Sequence, residues 1–224
     1  MSSGSIKNRM SALRWVAAKI GKSNIVARAN DAYGIADRRF VTHEDKGRPL
    51  TDGDLAGVAD PYTQMALRLQ AEFGLRREES IKFQPSWAGR GDRLVLKASW
   101  TKGRRLREIP IRTEAQRTLV NEATVLAATT AQGSLIAKET YIDQVQVFKH
   151  HCDKAGIHHV HGHRHRYAQR RYFELTGRAC PSAGGPSSLR LTGEAKAVDR
   201  EARLVISAEL GHGREQVTAV YLGR

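Results

Sequence analysis

The sequence predicts a mainly α protein with one small antiparallel β-sheet, an α+β fold. Apolar residues recur at helical spacing between Gly and Pro punctuation along most of the chain, and one stretch, 92–111, breaks that pattern as two short strands about a turn. The 224 residues are 40% hydrophobic, enough to build one good-sized core.

In chain order, residues 6–20 read as an amphipathic helix with Met10, Leu13, Ala17 and Ile20 on one face and Gly21 as its stop. One helix cannot bury its own stripe, so this one needs a partner. Residues 30–57 are polar and punctuated by Gly34, Gly47, Pro49 and Gly53, the composition of a linker. Asp60 and Pro61 then start a helix whose inner face is Met65, Leu69 and Phe73, ending at Gly74. A short helix through "LRREESIKF" follows. Residues 92–100 and 105–111 read as strands joined by the turn "TKGR". Thr113 with Gln116 opens a helix bearing Leu119, Ala123 and Leu126. The next stripe is Tyr141, Val145, Phe148 and Cys152, closed by Gly156. A helix over 162–176 turns Ala168, Tyr172 and Leu175 inward and stops at Gly177. Residues 178–198 are rich in Gly, Ser and Pro and read as a loop or insertion. Asp199 begins a helix to Leu210, and a last short helix holds Val217, Val220 and Tyr221.

Charge narrows the function classes. Lys and Arg number 37 against 23 Asp and Glu, a net charge of +14. Such a field gathers polyanions, which makes nucleic acid the leading partner. An acidic membrane surface would call for a strongly apolar amphipathic helix or a lipidation signal, and the sequence has neither. The two cysteines, Cys152 and Cys180, imply no disulfide framework. Without an apolar leader or a run of ~18 apolar residues, the expectation is a soluble, cytoplasmic protein with no membrane partner.

Four stretches carry residues able to do chemistry. "FGLRREES" sets Arg76 after a helix-ending glycine, with Glu79 one turn later. "SWTKGRRLREIPI" puts Lys102 in a hairpin turn beside Arg104 and Arg105. "VHGHRHRYAQRRYFELTG" spaces His161 and Arg164 by three and continues with Arg166, Arg170 and Arg171. "LGHGREQVTAVYL" separates His212 from Tyr221 by nine positions. Singly, each has a bland explanation: a solvated ion pair, a solubilising lysine, a basic surface helix, a packing tyrosine.

In this order, the four stretches resemble the catalytic domain of the tyrosine recombinases, the phage-integrase family. That family carries an arginine in a "GLRxxE"-like box, a hairpin lysine, an "HxxRH" box, an "LGH" box and a tyrosine nine residues beyond its histidine. The matching positions here are Arg76 with Glu79, Lys102, His161 with Arg164, and His212 with Tyr221. The resemblance implies a site-specific DNA recombinase or integrase in which Tyr221 attacks a DNA phosphodiester, leaving a 3′-phosphotyrosine. Arg76 and Arg164 would clamp the phosphate, with His212 as a third donor. Lys102 would protonate the departing 5′-oxygen, and His161 would assist proton removal from Tyr221. No metal or other cofactor is required. Arg166, Arg170, Arg171, Arg104 and Arg105 would meet double-stranded DNA.

The same resemblance sets the expected organisation. Residues 58–224 form the catalytic domain with an insertion at 178–198, residues 30–57 the linker, and residues 1–29 a remnant helix of an N-terminal core-binding domain. A homo-oligomer, tetrameric at synapsis, and accessory DNA-bending proteins are its implied partners. His163 stands where the family usually has leucine, which either loosens the site or faces a polar neighbour. If Tyr221 and His212 lay on one continuous helix they would be roughly 14 Å apart, so the chain must turn between them, and Gly211 and Gly213 permit that turn. Competing readings are a non-catalytic DNA-binding remnant, a type IB-like topoisomerase and a zinc site. The histidine run at 150–165 lacks the paired ligand spacing that zinc requires.

Overall fold

The computed structural model describes residues 1–37, 41, 44–212 and 214–224, with residue 215 described by its backbone only. The chain forms two compact units, Met1–Phe40 and Val41–Arg224. In the first, helix α1 spans Ser3–Lys19, and the Ser2 side chain caps it by accepting from the Ser5 N–H. Arg14 ties the following turns to the helix, donating to the Ala27 carbonyl at 2.8 Å and the Asn30 side chain at 3.0 Å. Of the expected stripe only Ala17 is buried; Leu13 and Ile20 remain 53% and 59% exposed.

The second unit begins differently from the expected linker. Gln169 donates to Asp45 at 2.6 Å, and the Arg48 N–H donates to the Gly162 carbonyl at 3.0 Å. Thr51 and Asp54 form a reciprocal cap that starts α2, Asp52–Ala56. The polarity that reads as a linker serves here as hydrogen bonding to the helical body.

Helix α3, Pro61–Phe73, runs from the Asp60 cap to Gly74 and buries Met65, Leu69 and Phe73, as its spacing predicts. Short helices α4, Arg77–Ile81, and α5, Pro85–Ala88, lead into a three-stranded antiparallel sheet. Its strands are β1, Gly89–Arg90, β2, Arg93–Leu96, and β3, Arg107–Pro110. The strands are shorter than the sequence suggests because Trp100 turns inward, 7% exposed, and edges onto Trp87 with ring centres 5.6 Å apart. Leu94 faces Ile109 and Leu96 faces Arg107 across the sheet. Strand alternation therefore sends Arg107 to the same buried side as Ile109.

Thr113 caps α6, Glu114–Ala127, and Thr140 caps α7, Tyr141–Lys154. Helix α8 spans His161–Thr176 and α9 spans Gly193–Glu209. Helix α9 starts at Gly193 rather than at Asp199. Asp199 is no cap: it is buried and holds the Arg203 Nε within its carboxylate at 2.9 and 3.1 Å. A 3-10 turn, Glu215–Thr218, runs into the four-residue helix α10, Ala219–Leu222. The main core joins α3, the sheet, α6, α8, α9 and α10 through residues such as Phe73, Leu94, Ile109, Leu119, Ala168, Ile206 and Leu222. A second cluster of Leu67, Ile81, Phe148 and Cys152 seats α7. Among the described residues, no helix is long and apolar enough to cross a membrane.

Asp60 accepts from both the N–H and the hydroxyl of Thr63, at 2.7 and 2.6 Å. Asp60→Ala should lower unfolding stability by about 1 kcal/mol, read as a lower urea midpoint at unchanged slope.

Candidate active site

The site forms where three helix ends meet. Helix α3 closes at Gly74, which takes a left-handed backbone. Two residues later Arg76 precedes α4, and its N–H donates to Glu79 Oε2 at 2.6 Å. The Arg76 guanidinium returns to Glu79 Oε1 at 2.7 Å. Glu79 is fully buried, and Arg107 reaches both of its oxygens from β3 at 3.0 and 2.9 Å. Burial alone would raise the Glu79 carboxyl pKa. The guanidiniums of Arg107, Arg164 and Arg76 overcome that and hold it below the usual carboxylate range.

Arg164, in the first turn of α8, is 1% exposed. Its two terminal nitrogens donate to the carbonyls of Gly74 and Leu210, the residues that cap the C-terminal ends of α3 and α9. Those carbonyls lack intrahelical partners and carry the negative end of each helix dipole, so a guanidinium satisfies both demands at once. The remaining side-chain nitrogen, Nε, donates to the Tyr221 hydroxyl at 3.2 Å.

Tyr221 reaches this point because the chain turns sharply after α9. Gly211 adopts φ +65°, and a Cβ there would lie 2.6 Å from Arg107 Cδ. Arg107 thus forms the floor under the turn that presents His212. Gly213, the other glycine of that turn, lies outside the described residues. The His212 ring stacks on Tyr221 at 5.3 Å between centres, with His165 at 4.6 Å and His161 at 5.9 Å. Burial, then Arg164, Arg76 and Arg107, push the His212 pKa down to about 3. Burial and the neighbouring His161, Lys46 and Arg164 push His165 down to about 4. His161 is lowered as well, first by burial and then by Arg164 and Arg76. The phenol is therefore surrounded by neutral imidazoles at neutral pH.

A cleft of about 690 Å³ opens onto this cluster and is lined by Arg76, Lys102, Arg105, His161, His212 and Tyr221. All six residues expected to perform chemistry, including Arg164 beneath the tyrosine, are brought together from stretches that span most of the second unit.

A family model described as Integrase matches residues 51–170, more than half of the chain. The chain belongs to the integrase family. Membership makes it a protein of DNA integration and recombination, with DNA as its partner. The match takes in Arg76, Glu79, Lys102, His161 and Arg164 and ends before His212 and Tyr221. No curated protein matches the chain.

The remaining basic positions of this integrase separate into two groups. Arg166, Arg104 and Arg105 are exposed, with no ion pair recorded among the described residues. Arg170 is paired with Glu72 at 3.0 Å and Arg171 with Glu209 at 3.0 Å, so carboxylates of the chain itself already hold both guanidiniums. His163 faces a polar neighbour, with Nδ1 3.0 Å from the Arg48 carbonyl. Sequence reasoning missed Arg107. Its alternation with Ile109 was the available signal.

Two predictions follow from this electrostatic arrangement. Arg107→Met leaves Glu79 buried with one partner fewer and should cost about 3–5 kcal/mol in urea denaturation. Adding Glu79→Gln to it should cost less than the two single changes summed. The histidines set the second. His165 and His212 have folded pKa values of about 4 and about 3, below their ordinary 6.5. Their stabilising contribution is complete above 6.5 and is lost as pH falls towards those folded values, because the unfolded chain binds the protons first. The urea midpoint should fall on acidification below 6.5, and the slope should be shallower in His165→Gln.

Proposed function

We propose that this integrase-family chain is a tyrosine-type DNA strand transferase with Tyr221 as its nucleophile. The observation that carries the reading is the Arg164 Nε–Tyr221 hydroxyl contact at 3.2 Å, inside a ring of neutral imidazoles. A phenol that keeps its proton is a poor nucleophile, so it needs a base beside it and a cation to stabilise the charge it develops.

In the proposed step, Tyr221 Oη forms a bond to phosphorus and the bond from phosphorus to the 5′-oxygen breaks. His161 accepts the phenol proton, and Lys102 gives a proton to the departing 5′-oxygen. Arg76 and Arg164 hold the non-bridging oxygens as negative charge grows on them, and His212 adds a third donor. The 3′-phosphotyrosine keeps the phosphodiester energy, so reversal by a 5′-hydroxyl rejoins the strand. Arg104, Arg105 and Arg166 would meet the DNA backbone directly. Arg170 and Arg171, already paired, would add to the field. The same reading assigns residues 58–224 to a catalytic domain, α1 to a core-binding element, and assembly to a homotetramer at synapsis.

The test uses a pool of randomised duplexes, each nicked in one strand, and looks for covalent adducts on a denaturing gel. Wild-type protein should give an adduct that maps by digestion and mass spectrometry to Tyr221. Tyr221→Phe should give none while still binding DNA, since it removes one oxygen and almost no volume. Arg76→Ala and Arg164→Lys should each slow adduct formation by about 10²–10³-fold with duplex binding largely kept. An adduct on Tyr141, Tyr167 or Tyr172 would overturn the assignment, and a wild type without adduct would leave a DNA-binding remnant. The basic surface predicts a steep salt dependence, with log K falling against log [salt] by about 0.9 per neutralised phosphate.

A further inference from the structure

Helix α10 is only four residues long, too short to be held by its own hydrogen bonds. Its last carbonyls have no intrahelical acceptor role, so something else must fix the direction in which Tyr221 points. Two buried donors from outside the helix do this. Ser182, 7% exposed, donates its hydroxyl to the Tyr221 carbonyl at 3.0 Å. Arg203, 6% exposed, donates to the Gly223 carbonyl at 3.0 Å.

Both donors are themselves braced. Ser182 sits in a turn that the Cys180 carbonyl closes, accepting from the Ala183 and Gly185 N–H groups at 2.9 Å each. A Cβ at Gly185 would fall 1.7 Å from the Ala179 carbonyl oxygen, so the turn tolerates no side chain there. The main chain of the tyrosine segment presses on the same turn: a Cβ on Gly223 would lie 2.9 Å from the Ser182 nitrogen. On the other side, Asp199 holds Arg203, and the Tyr172 hydroxyl donates to Asp199 at 2.6 Å. The chain therefore reaches from the α8 core through Asp199 and Arg203 to the last turn.

We propose that the Cys180–Gly185 turn and Arg203 form a clamp on the backbone of residues 221–223, and that Ser182 and Arg203 are positioning residues for the attacking phenol. This gives the 178–198 segment a role in the reaction, and it rests on Tyr221 being the nucleophile. Neither residue touches the phosphate; each acts through the main chain that carries Tyr221.

Amide hydrogen exchange on the full chain and adduct formation on the nicked-duplex pool test the clamp. Ser182→Ala should speed exchange at residues 219–223 roughly tenfold, with α3 amides and the urea midpoint little changed. Adduct formation at saturating DNA should slow by a similar factor or more, while the DNA concentration for half-saturation stays the same. Ser182→Thr keeps the hydroxyl and should restore both readouts. Unchanged exchange at 219–223 would overturn the clamp, as would a rise spread over all helices. A loosened segment with undiminished adduct formation would overturn the positioning role. If the wild type gave no adduct, the nucleophile assignment would fall and the positioning role with it. The exchange data would still decide whether the clamp exists.

Discussion

The arrangement depends on one buried guanidinium that ends two helices. Arg164 donates to the terminal carbonyls of α3 and α9 and so fixes the ends of both at one point. Gly74 lies two residues before Arg76, and Leu210 leads directly to Gly211 and His212. A charge that caps two helices therefore also sets the origin from which the other site residues are measured. The position is costly to change for two reasons, since loss of Arg164 would strand carbonyls as well as remove a cation.

Such an origin is stable only if its surroundings can hold several cations. Arg76, Arg107 and Arg164 converge in a small volume, where like charges 4 Å apart repel by about 4 kcal/mol at an effective dielectric near 20. Glu79 meets this with one carboxylate that takes hydrogen bonds from Arg76 and Arg107 and lies within the field of Arg164. Three guanidiniums against one carboxylate leave a cluster with two net positive charges. A phosphodiester that carries one negative charge in the ground state and approaches two in a five-coordinate state is a fitting guest for it. This is the physical content of the acidic position that accompanies Arg76 in the resemblance.

Much of this was legible from residue types because it depends on local rules. The Asp60 cap, the Gly74 stop, the Thr113 cap and the apolar stripe of α7 need only their own neighbours, and they form where their spacing predicts. The residues proposed to do the chemistry were picked out by their order along the chain, and the fold brings them around one cleft. What was not legible depended on partners far away. Arg107 sits in a basic run that reads as surface, and its burial is decided by Glu79, 28 residues earlier. Asp199 looks like a helix start, yet Arg203 and Tyr172 hold it inside α9. Residues 44–57 look like a linker, and only hydrogen bonds to α8 reveal them as part of the body. Arg170 and Arg171 look like unpaired surface cations in the sequence, and only the fold brings Glu72 and Glu209 beside them.

Burial and the same positive cluster together lower the pKa values of the histidines. An imidazole in water is partly protonated near neutrality and then cannot accept a proton. Partial burial, and then Arg164 and Arg76 beside them, lower His161 and His212, and His165 is lowered by burial and by His161 next to it. Burial and the arginines that would bind phosphate oxygens together keep an unprotonated ring nitrogen available next to Tyr221. Arg164 further holds the phenol by its oxygen, the atom on which negative charge grows as the proton leaves. In the proposed reaction, cation, base and nucleophile would be coupled through that one side chain, so weakening its charge would affect phosphate binding and phenol activation together.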